Sequence, residues 1–363
     1  MINTIPFNRN GMSMMMMNYY THFNHDLVQC DFVVNKYIED DYKKTIVEHG
    51  GKIYIFSNRN AQPIKYIKWL SNIIGQNKYD IVYVHGNSAT MSAELYAARK
   101  YGVITIVHAH NVKTEHPVLH ELLYPYFIKH YDYAFAAGTE AGKWLYRGRP
   151  FYVIKNGIDS SLFEFSQGNR DRVRKMLGIS NESKVLIQVG SFTEQKNYLF
   201  TMKLIKEMKD RRKNIHLIAV GVGPLLERMK TYCKQNGIQE YVHFVGSKRN
   251  TGEYYSAADQ FIFPSLYESF GIVVAEAQAN GLSCIVSEAV PKAINVTGTV
   301  KFEPLDIDVW VQNISNQGIN VRTNFNSEQT RQLFLSKNLS IDDDALKMQS
   351  LFEAIVKGKD IYR

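Results

Sequence analysis

Residues 261–286 read FIFPSLYESFGIVVAEAQANGLSCIV, and this stretch decides the fold. The apolar run 261–263 predicts a buried strand, Gly271 opens an apolar helical pattern that stops at Gly281, and residues 284–286 form the next apolar run. Strand, helix and strand in succession form a βαβ unit, which builds a parallel sheet with helices on both faces. The sequence therefore predicts a doubly wound α/β domain here.

The same alternation recurs on both sides of this stretch. Short apolar runs predict strands at 32–34, 53–56, 81–84, 104–108, 133–137, 152–154, 185–189, 217–220 and 242–245. Helical patterns near 12–24, 38–48, 62–75, 89–101 and 117–130 separate the runs of the first half, and residues 326–357 also have a helical pattern. Strands alternating with helices predict parallel sheets in both halves of the chain.

A turn signal at Asn156 to Asp159 and a polar stretch from Ser166 to Arg172 separate the two halves. We expect residues 1–160 and residues 161–340 to form two Rossmann-like domains. Residues 341–363 are expected to form a helix that packs back towards the first domain. The strand carboxyl ends of two such domains would face a shared cleft, where ligands of open α/β sheets bind.

The composition narrows the class of partner. Among 363 residues, 43 are Lys or Arg and 35 are Asp or Glu, for a formal net charge of +8. A hydrophobic share of 45% excludes a disordered chain. The basic residues form no arm and accompany neither a zinc-finger spacing nor an aromatic RNA-binding signature, so we expect no nucleic-acid partner. A phosphate-bearing ligand or an anionic membrane remains as the partner.

The cysteines and the lengths of the apolar runs indicate in which cellular compartment the protein works. Cys30, Cys233 and Cys284 are odd in number and far apart, which gives neither a disulfide framework nor a metal site and suits a reducing cytoplasm. No run of about 18 apolar residues occurs, so we expect no membrane-spanning helix. The sequence predicts a cytoplasmic protein.

The loop and helix after residue 263 carry a candidate anion site. The amides of Phe270 and Gly271 lie at a predicted helix N-terminus, where free N–H groups can face a phosphate. Because carboxylates repel phosphate, Glu268 and Glu276 would instead meet the hydroxyls of a sugar nucleotide. The alternative is that Glu268 is a loop charge or a cap and that Glu276 faces solvent.

Two histidines at a strand end form a second candidate. His108 and His110 are two residues apart, so their side chains point to one side of the strand. A histidine there could donate a hydrogen bond to a sugar hydroxyl. A metal site built from these two and His116 lacks a carboxylate or cysteine at set spacing, so we expect no metal.

Two other enzyme classes have no support in the sequence. Gly221 and Gly223 do not complete the GxGxxG motif of dehydrogenases, and no Walker sequence of a P-loop protein occurs.

The ESFG segment and the glutamate that follows it resemble retaining family 4 glycosyltransferases of the GT-B fold. The chain looks most like bacterial members that build exopolysaccharide or capsule repeat units. An ordered set of further motifs carries the resemblance along nearly the whole chain: Asn10-Gly11-Met12, Asn18-Tyr19-Tyr20, His85-Gly86-Asn87, His108-Ala109-His110-Asn111, Asn156-Gly157-Ile158-Asp159, Val189-Gly190, Gln195-Lys196-Asn197 and Gly221-Val222-Gly223-Pro224.

This resemblance implies that residues 1–160 bind the acceptor and that residues 161–340 bind the nucleotide sugar. It also implies roles for individual residues of the second domain. Glu276 would bind the ribose hydroxyls of a nucleoside diphosphate sugar, and Glu268 would lie beside the donor sugar as a catalytic residue. The amides of residues 270–272, Phe270 to Ile272, would lie near the diphosphate. Lys196 matches the family lysine whose charge stabilises the leaving diphosphate.

One position departs from the family pattern. Many relatives carry arginine soon after the glycine that corresponds to Gly190, whereas this chain has Ser191 at the donor site. Lys248 or Arg249 could replace the missing cation, or phosphate binding could depend on Lys196 and backbone amides. Asp306-Ile307-Asp308 resembles the DxD pattern of metal-dependent transferases, but its place before a helical pattern favours a capping role.

The resemblance also implies roles in the first domain. Gly11 would lie in the glycine-rich loop that approaches the diphosphate, where glycine permits close approach of the backbone. His110 would be a catalytic residue near the donor's primary hydroxyl or the reaction centre. His85 and Asn111 are candidates on the acceptor side.

These expectations combine into one function. We expect a retaining glycosyltransferase that moves a sugar from a nucleotide sugar, most readily a UDP-sugar, to a hydroxyl of a growing, lipid-linked glycan without a metal or other cofactor. A nucleotide-sugar epimerase or hydrolase, and a non-catalytic partner subunit that Ser191 favours, are the alternatives.

A membrane surface is the last candidate partner. The segment 64–74 combines apolar helix spacing with Lys65, Lys68 and Trp69, so it could rest on anionic lipid. The alternative is a helix that faces the core. If the segment rests on lipid, the protein would be a peripheral protein on the inner face of the plasma membrane.

Overall fold

The structure is a computed structural model that describes residues 1–8, 10–154, 157–268, 270–319, 322 and 325–362. The chain divides into two compact units. The first consists of Met1–Gly157 together with Ile341–Arg363, and the second of Ile158–Ser340.

The first unit contains a seven-stranded parallel sheet in the order β3-β2-β1-β4-β5-β6-β7. Its strands are β1 (Ile2–Phe7), β2 (Phe32–Ile38), β3 (Ile53–Phe56), β4 (Ile81–Gly86), β5 (Ile104–Ala109), β6 (Tyr133–Ala136) and β7 (Tyr152–Val153). The helices between them are α1 (Gly11–His22), α2 (Asp40–Glu48), α3 (Pro63–Asn77), α4 (Ser92–Arg99), α5 (Pro117–His130) and α6 (Thr139–Tyr146).

The second unit contains a six-stranded parallel sheet in the order β10-β9-β8-β11-β12-β13. Its strands are β8 (Lys184–Val189), β9 (Ile215–Val220), β10 (Val242–Gly246), β11 (Gln260–Phe263), β12 (Ser283–Ser287) and β13 (Val300–Glu303). The helices are α7 (Gln167–Leu177), α8 (Tyr198–Asp210), α9 (Leu226–Gln235), α10 (Thr251–Ala257), α11 (Ile272–Ala279), α12 (Ile307–Ser315) and α13 (Ser327–Ser336). The prediction of two doubly wound α/β sheets is confirmed.

The last helix, α14 (Ile341–Val356), belongs to the first unit and packs against α1. The helical pattern of residues 326–357 therefore corresponds to two helices, α13 and α14. Between them Asn338 has a left-handed φ of 52°, and Ser340 pairs with Ile158 in an isolated bridge. A left-handed residue cannot continue a right-handed helix, so the chain turns here.

Both faces of the first sheet are covered, because alternate strand residues point to opposite sides. Phe32 and Val34 of β2 pack in the cluster formed with α1, α2 and α14, whereas Val33 packs in the cluster formed with α3 to α6. Strands of this kind are buried on both sides, which explains the nearly continuous apolar runs in the sequence.

Helix α3 places most of its apolar residues in this core. Tyr66, Leu70 and Ile74 are buried, whereas Ile64 is 71% exposed and the two lysines at 65 and 68 are exposed. This arrangement favours the core-facing alternative for α3. Within the described ranges, no helix has both the length and the hydropathy needed to cross a bilayer.

Candidate active site

Two predicted site residues of the second unit meet at the carboxyl edge of its sheet. Lys196 follows β8 and Glu268 follows β11, and these strands are neighbours. The Lys196 ammonium donates to a Glu268 carboxylate oxygen, and the two side chains are only 18% and 12% exposed. The same ammonium lies 4.7 Å from the centroid of the Phe263 ring. The fold therefore holds a cation and a carboxylate in contact beside the start of α11.

Helix α11 begins next to this pair. Its N-cap residue, Gly271, has φ 86°, a left-handed conformation that glycine adopts without steric cost. Among the described residues no side chain caps this helix. The first amides of a helix lack intrahelical partners and carry the positive end of the helix dipole, so they can face an anion. Phe270 and Ile272 flank the turn and pack on the core, while Ser269 lies outside the described residues.

Glu276 lies one turn into α11 and is buried, with 2% of its surface exposed. The Tyr255 hydroxyl donates to its Oε2 atom at 2.8 Å. Burial raises the pKa of Glu276 to about 7, and the Tyr255 hydrogen bond opposes part of the rise. The alternative in which Glu276 faces solvent is therefore wrong. A buried carboxyl with one oxygen bound by Tyr255 retains capacity to accept further hydrogen bonds.

The loop after β8 contains the position that departs from the family pattern. Ser191 is exposed, and Gly190 packs on the aliphatic part of Lys196, where a Cβ atom would meet side-chain carbons at 3.4–3.5 Å. Lys248 and Arg249 follow β10, which is separated from β8 by β9. The Lys248 ammonium lies 5.5 Å from the centroid of the Tyr254 ring. Both candidate replacements thus lie at the carboxyl edge of the same sheet.

Three histidines of the first unit, His85, His108 and His110, form one cluster. His85 of β4 is the register partner of His108 in β5, and His110 follows β5 directly. His85 Nδ1 and His110 Nε2 are 2.9 Å apart, and the rings of His108 and His110 stack with centroids 4.3 Å apart. The backbone N–H of His110 donates to Asn87 Oδ1 at 3.1 Å. The structure thereby brings His85 to the pair that the sequence singled out.

Burial is the leading cause that lowers the pKa of all three imidazoles, and that of His110 falls to about 3. They are neutral at physiological pH, so each ring offers one donor and one acceptor. The Tyr83 hydroxyl lies 2.5 Å from His108 Nδ1. The Nε2 atoms of His85 and His108 have no hydrogen-bond partner among the described residues.

The structure changes the set of histidines that could bind a metal ion. Ligand atoms of His85, His108 and His110 all lie within 4.8 Å of one another, so these are the described residues that could hold a metal ion. His116, which the sequence suggested, is an exposed residue at the start of α5. Its place in the triplet is wrong, because His85 is the strand neighbour of His108.

Two further predicted residues follow strands at the same edge of the first sheet. Gly11 is the exposed first residue of α1, and a Cβ atom there would meet no atom within 4 Å. Asn111 is half-buried, and its side-chain oxygen accepts from the Val112 amide at 2.8 Å. The motif residue Asn156 lies outside the described residues.

The structure also adds two tyrosines that the sequence did not single out as partners of the candidate site residues. Tyr255 and Tyr83 bind Glu276 and His108, respectively. Tyr83 could have been found from its period-two spacing with His85, but no spacing connects Tyr255 with Glu276.

The capping role of Asp306 is confirmed, because its Oδ1 atom accepts from the Val309 amide at 3.1 Å.

Comparison with known sequences assigns the family. Residues 169–299 match the family described as Glycosyl transferases group 1, and residues 9–162 match Glycosyltransferase Family 4. Together these matches span most of the chain, including the segments of Lys196, Glu268 and His110. The chain belongs to the group 1 glycosyltransferases. The prediction of a glycosyltransferase enzyme is therefore confirmed.

Two bacterial glycosyltransferases are similar to this chain over much of their length. The putative glycosyltransferase EpsF of Bacillus subtilis (strain 168) is 29% identical over 327 residues, which are 85% of this chain and 84% of EpsF. The UDP-Gal:alpha-D-GlcNAc-diphosphoundecaprenol alpha-1,3-galactosyltransferase of Escherichia coli is 28% identical over 247 residues, covering 63% of this chain and 64% of that enzyme.

Solved structures of other proteins have the same fold as this glycosyltransferase. Anabaena Alr3699/HepE, crystallised with UDP and glucose, superposes with a TM-score of 0.72 over 98% of this chain and 96% of that chain, at 14% identity. At this identity the likeness establishes the GT-B fold alone.

Proposed function

We propose that the chain transfers a sugar from a UDP-sugar to a hydroxyl of a growing, lipid-linked glycan, with retention of anomeric configuration, in exopolysaccharide or capsule synthesis. The observation that carries this proposal is the contact of Lys196 with Glu268 beside the start of α11, which no side chain caps among the described residues. The E. coli relative uses UDP-Gal and a diphosphoundecaprenol-linked acceptor, and HepE was solved with UDP. Both support a UDP donor, and the relative supports a lipid-linked acceptor.

The pair of Lys196 and Glu268 can exchange partners when a donor arrives. A diphosphate at the start of α11 offers more negative charge to Lys196 than one carboxylate does. Lys196 then stabilises the charge that develops on the leaving diphosphate. Glu268, released from the lysine, accepts hydrogen bonds from hydroxyls of the donor sugar. Ser191 supplies no charge in this scheme, so Lys196 and the helix amides bind the diphosphate.

Glu276 is the proposed ribose-binding residue. Two ribose hydroxyls can donate to its carboxylate, and Tyr255 holds that carboxyl in place through its 2.8 Å hydrogen bond. A carboxyl held by a buried neighbour loses little freedom when it binds, which favours affinity.

Transfer with retention needs no carboxylate nucleophile. The bond from the anomeric carbon to the diphosphate oxygen breaks, the acceptor oxygen bonds to the same face of that carbon, and the acceptor proton passes to the leaving diphosphate. In this scheme neutral His110 donates a hydrogen bond to a hydroxyl of the transferred sugar. His85 and Asn111 are the candidate contacts of the acceptor, and no step requires a metal ion.

The lipid-linked acceptor also implies a location. We place the chain in the cytoplasm and at the inner face of the plasma membrane as a peripheral protein. An anionic bilayer would match the formal net charge of +8.

The test is nucleotide release from a panel of UDP-, GDP- and ADP-sugars, with and without a lipid-linked glycan extract and with and without EDTA. We expect release from one UDP-sugar only when extract is present, undiminished by EDTA. Lys196→Ala should lower kcat by about 100-fold or more, because one charge contact to the leaving group is lost. Lys203→Ala, which removes an exposed lysine of α8, is the matched control.

Three results would contradict the proposal. Release without extract would indicate a hydrolase, or an epimerase that also hydrolyses the donor. Release by a folded Lys196→Ala variant at the wild-type rate would remove the assigned role of Lys196. No release with any donor would indicate a non-catalytic subunit, as the serine at 191 favours. Proton NMR of the product's anomeric signal distinguishes retention from inversion.

A further inference from the structure

Helix α5 exposes apolar side chains along one side. Val118 is 75% exposed, Leu119 46% and Leu122 73%. Tyr96 of α4 is 59% exposed, and its ring centroid lies 6.4 Å from that of Tyr126 in α5. We call Val118, Leu119, Leu122 and Tyr96 the α5 face.

The opposite side of α5 already supplies its core contacts. His120 is 2% exposed and Phe127 is fully buried. A surface helix normally directs polar residues to water, whereas α5 has apolar residues on both sides. Exposed Val and Leu side chains each lose the favourable free energy of burial, and several together mark an interaction site. The α5 face thus has the composition of a docking surface.

Basic residues border the α5 face. Arg147 binds Glu121, and its guanidinium carbon lies 4.0 Å from the centroid of the Tyr124 ring. Burial raises the pKa of Tyr124, and the charges of Arg147 and Arg149 oppose that rise, which places both arginines near Tyr124.

The other border of the face is also basic. Burial raises the pKa of Tyr126, and the charge of Arg99 opposes the rise. Lys129 is exposed in the last turn of α5. The acidic residues of the segment are Glu115 and Glu121, and Arg147 binds the second. Positive charge around an apolar stripe complements an anionic lipid surface.

The position of α5 connects this surface with the candidate site. A helix that follows a strand of a parallel sheet starts at the carboxyl edge of that strand. Helix α5 follows β5, so Val118 and Leu119 lie in the first turn, at the edge where His110 ends β5. A lipid-linked acceptor lies at a bilayer surface. Docking by the α5 face would therefore bring this edge of the sheet towards the acceptor.

We propose that the α5 face docks on an anionic bilayer, with its apolar side chains at the boundary of headgroups and acyl chains. The link from docking to acceptor use rests on the proposed function, whereas docking itself does not. Helix α3, which the sequence suggested, offers only Ile64 beside its two exposed lysines.

The test is co-sedimentation of the full chain with vesicles of phosphatidylglycerol and phosphatidylcholine, and with vesicles of phosphatidylcholine alone. We expect binding to the anionic vesicles only. Leu122→Asp should lower the partition coefficient by about tenfold or more, and Lys129→Ala and Arg149→Ala by about fivefold each. Leu346→Asp, at a 61% exposed leucine of α14, is the matched control and should bind like the wild type. Circular dichroism checks that each variant is folded.

Three outcomes would overturn the proposal. Leu122→Asp and Leu346→Asp could bind equally well, or Lys65→Ala with Lys68→Ala could abolish binding while Leu122→Asp leaves it intact. Sedimentation could instead show a dimer that Leu122→Asp dissociates, which would assign the face to a second copy of the chain.

Nucleotide release with a detergent-solubilised acceptor separates this proposal from the proposed function. The docking proposal expects Leu122→Asp to release nucleotide at the wild-type rate in detergent, because no bilayer is needed there, and a slowed rate would count against it. Absence of release in the wild type would contradict the function and leave the vesicle result standing.

Discussion

Glu276→Gln should raise the free energy of unfolding of the second unit at alkaline pH. The carboxyl is 2% exposed, and burial raises its pKa from 4.5 to about 7. Because the folded value lies above the unfolded one, the folded protein binds this proton more tightly. The resulting stability is complete below about pH 4.5 and is lost as the pH rises through 7. At 1.36 kcal/mol per tenfold change in proton affinity, the loss at pH 8 is ~3 kcal/mol.

Glutamine removes this loss with little change in shape. Its side-chain oxygen can still accept from the Tyr255 hydroxyl, so the 2.8 Å hydrogen bond has a counterpart. We expect urea unfolding to show a gain of about 3 kcal/mol at pH 8 and less than about 1 kcal/mol at pH 5. Glu240→Gln, at an exposed position of the same unit, should change neither value by more than about 0.5 kcal/mol.

The difference between the two pH values is the decisive quantity. An equal effect of Glu276→Gln at pH 5 and pH 8, of either sign, would show that an ionised carboxyl at 276 carries no burial penalty. The same variant should raise the KM for the donor at pH 8, because the amide nitrogen cannot accept from a ribose hydroxyl. A variant that is more stable and binds donor less well is the expected pattern for a site residue.

Two further predictions concern stability. Arg59→Met should cost about 3–5 kcal/mol in urea unfolding, because it leaves Glu94, which is 0% exposed, without its cation; adding Glu94→Met should restore most of the loss. Full stability of the single variant would contradict this. Gly221→Ala should lower stability by about 1–3 kcal/mol, since its Cβ would lie 2.0 Å from the Gly190 carbonyl oxygen. Gly318→Ala, with no atom within 4 Å, is the control, and equal melting temperatures would refute the clash.

Much of the fold follows from local sequence patterns. The run Ile53–Phe56 and the helix Pro117–His130 have the bounds that apolar periodicity predicted. The strand Val300–Glu303 was not predicted, because its charged residues interrupt the apolar run. The left-handed turn at Asn338, between α13 and α14, is not visible in the sequence, where this residue looks like any polar helix residue.

The candidate site was harder to predict from the sequence than the fold. The sequence placed Glu268 in a loop and Glu276 in a helix, as the structure has them, but it did not reveal the hydrogen bond of Glu276 with Tyr255, 21 residues away along the chain. The membership of His85 in the histidine cluster depends on strand register, which pairs it with His108. Register and long-range burial are tertiary properties, and no local pattern encodes them.

The first unit is built from two separate segments of the chain, with the whole second unit between them. Phe352 and Met348 of α14 complete the apolar cluster that β1, β2 and α1 begin. During synthesis this cluster is incomplete until α14 has left the ribosome, whereas the second unit is one contiguous segment that precedes α14. Translation therefore delivers the whole second unit before the first unit is complete. Until α14 covers it, the apolar cluster of the first unit is open to non-native contacts.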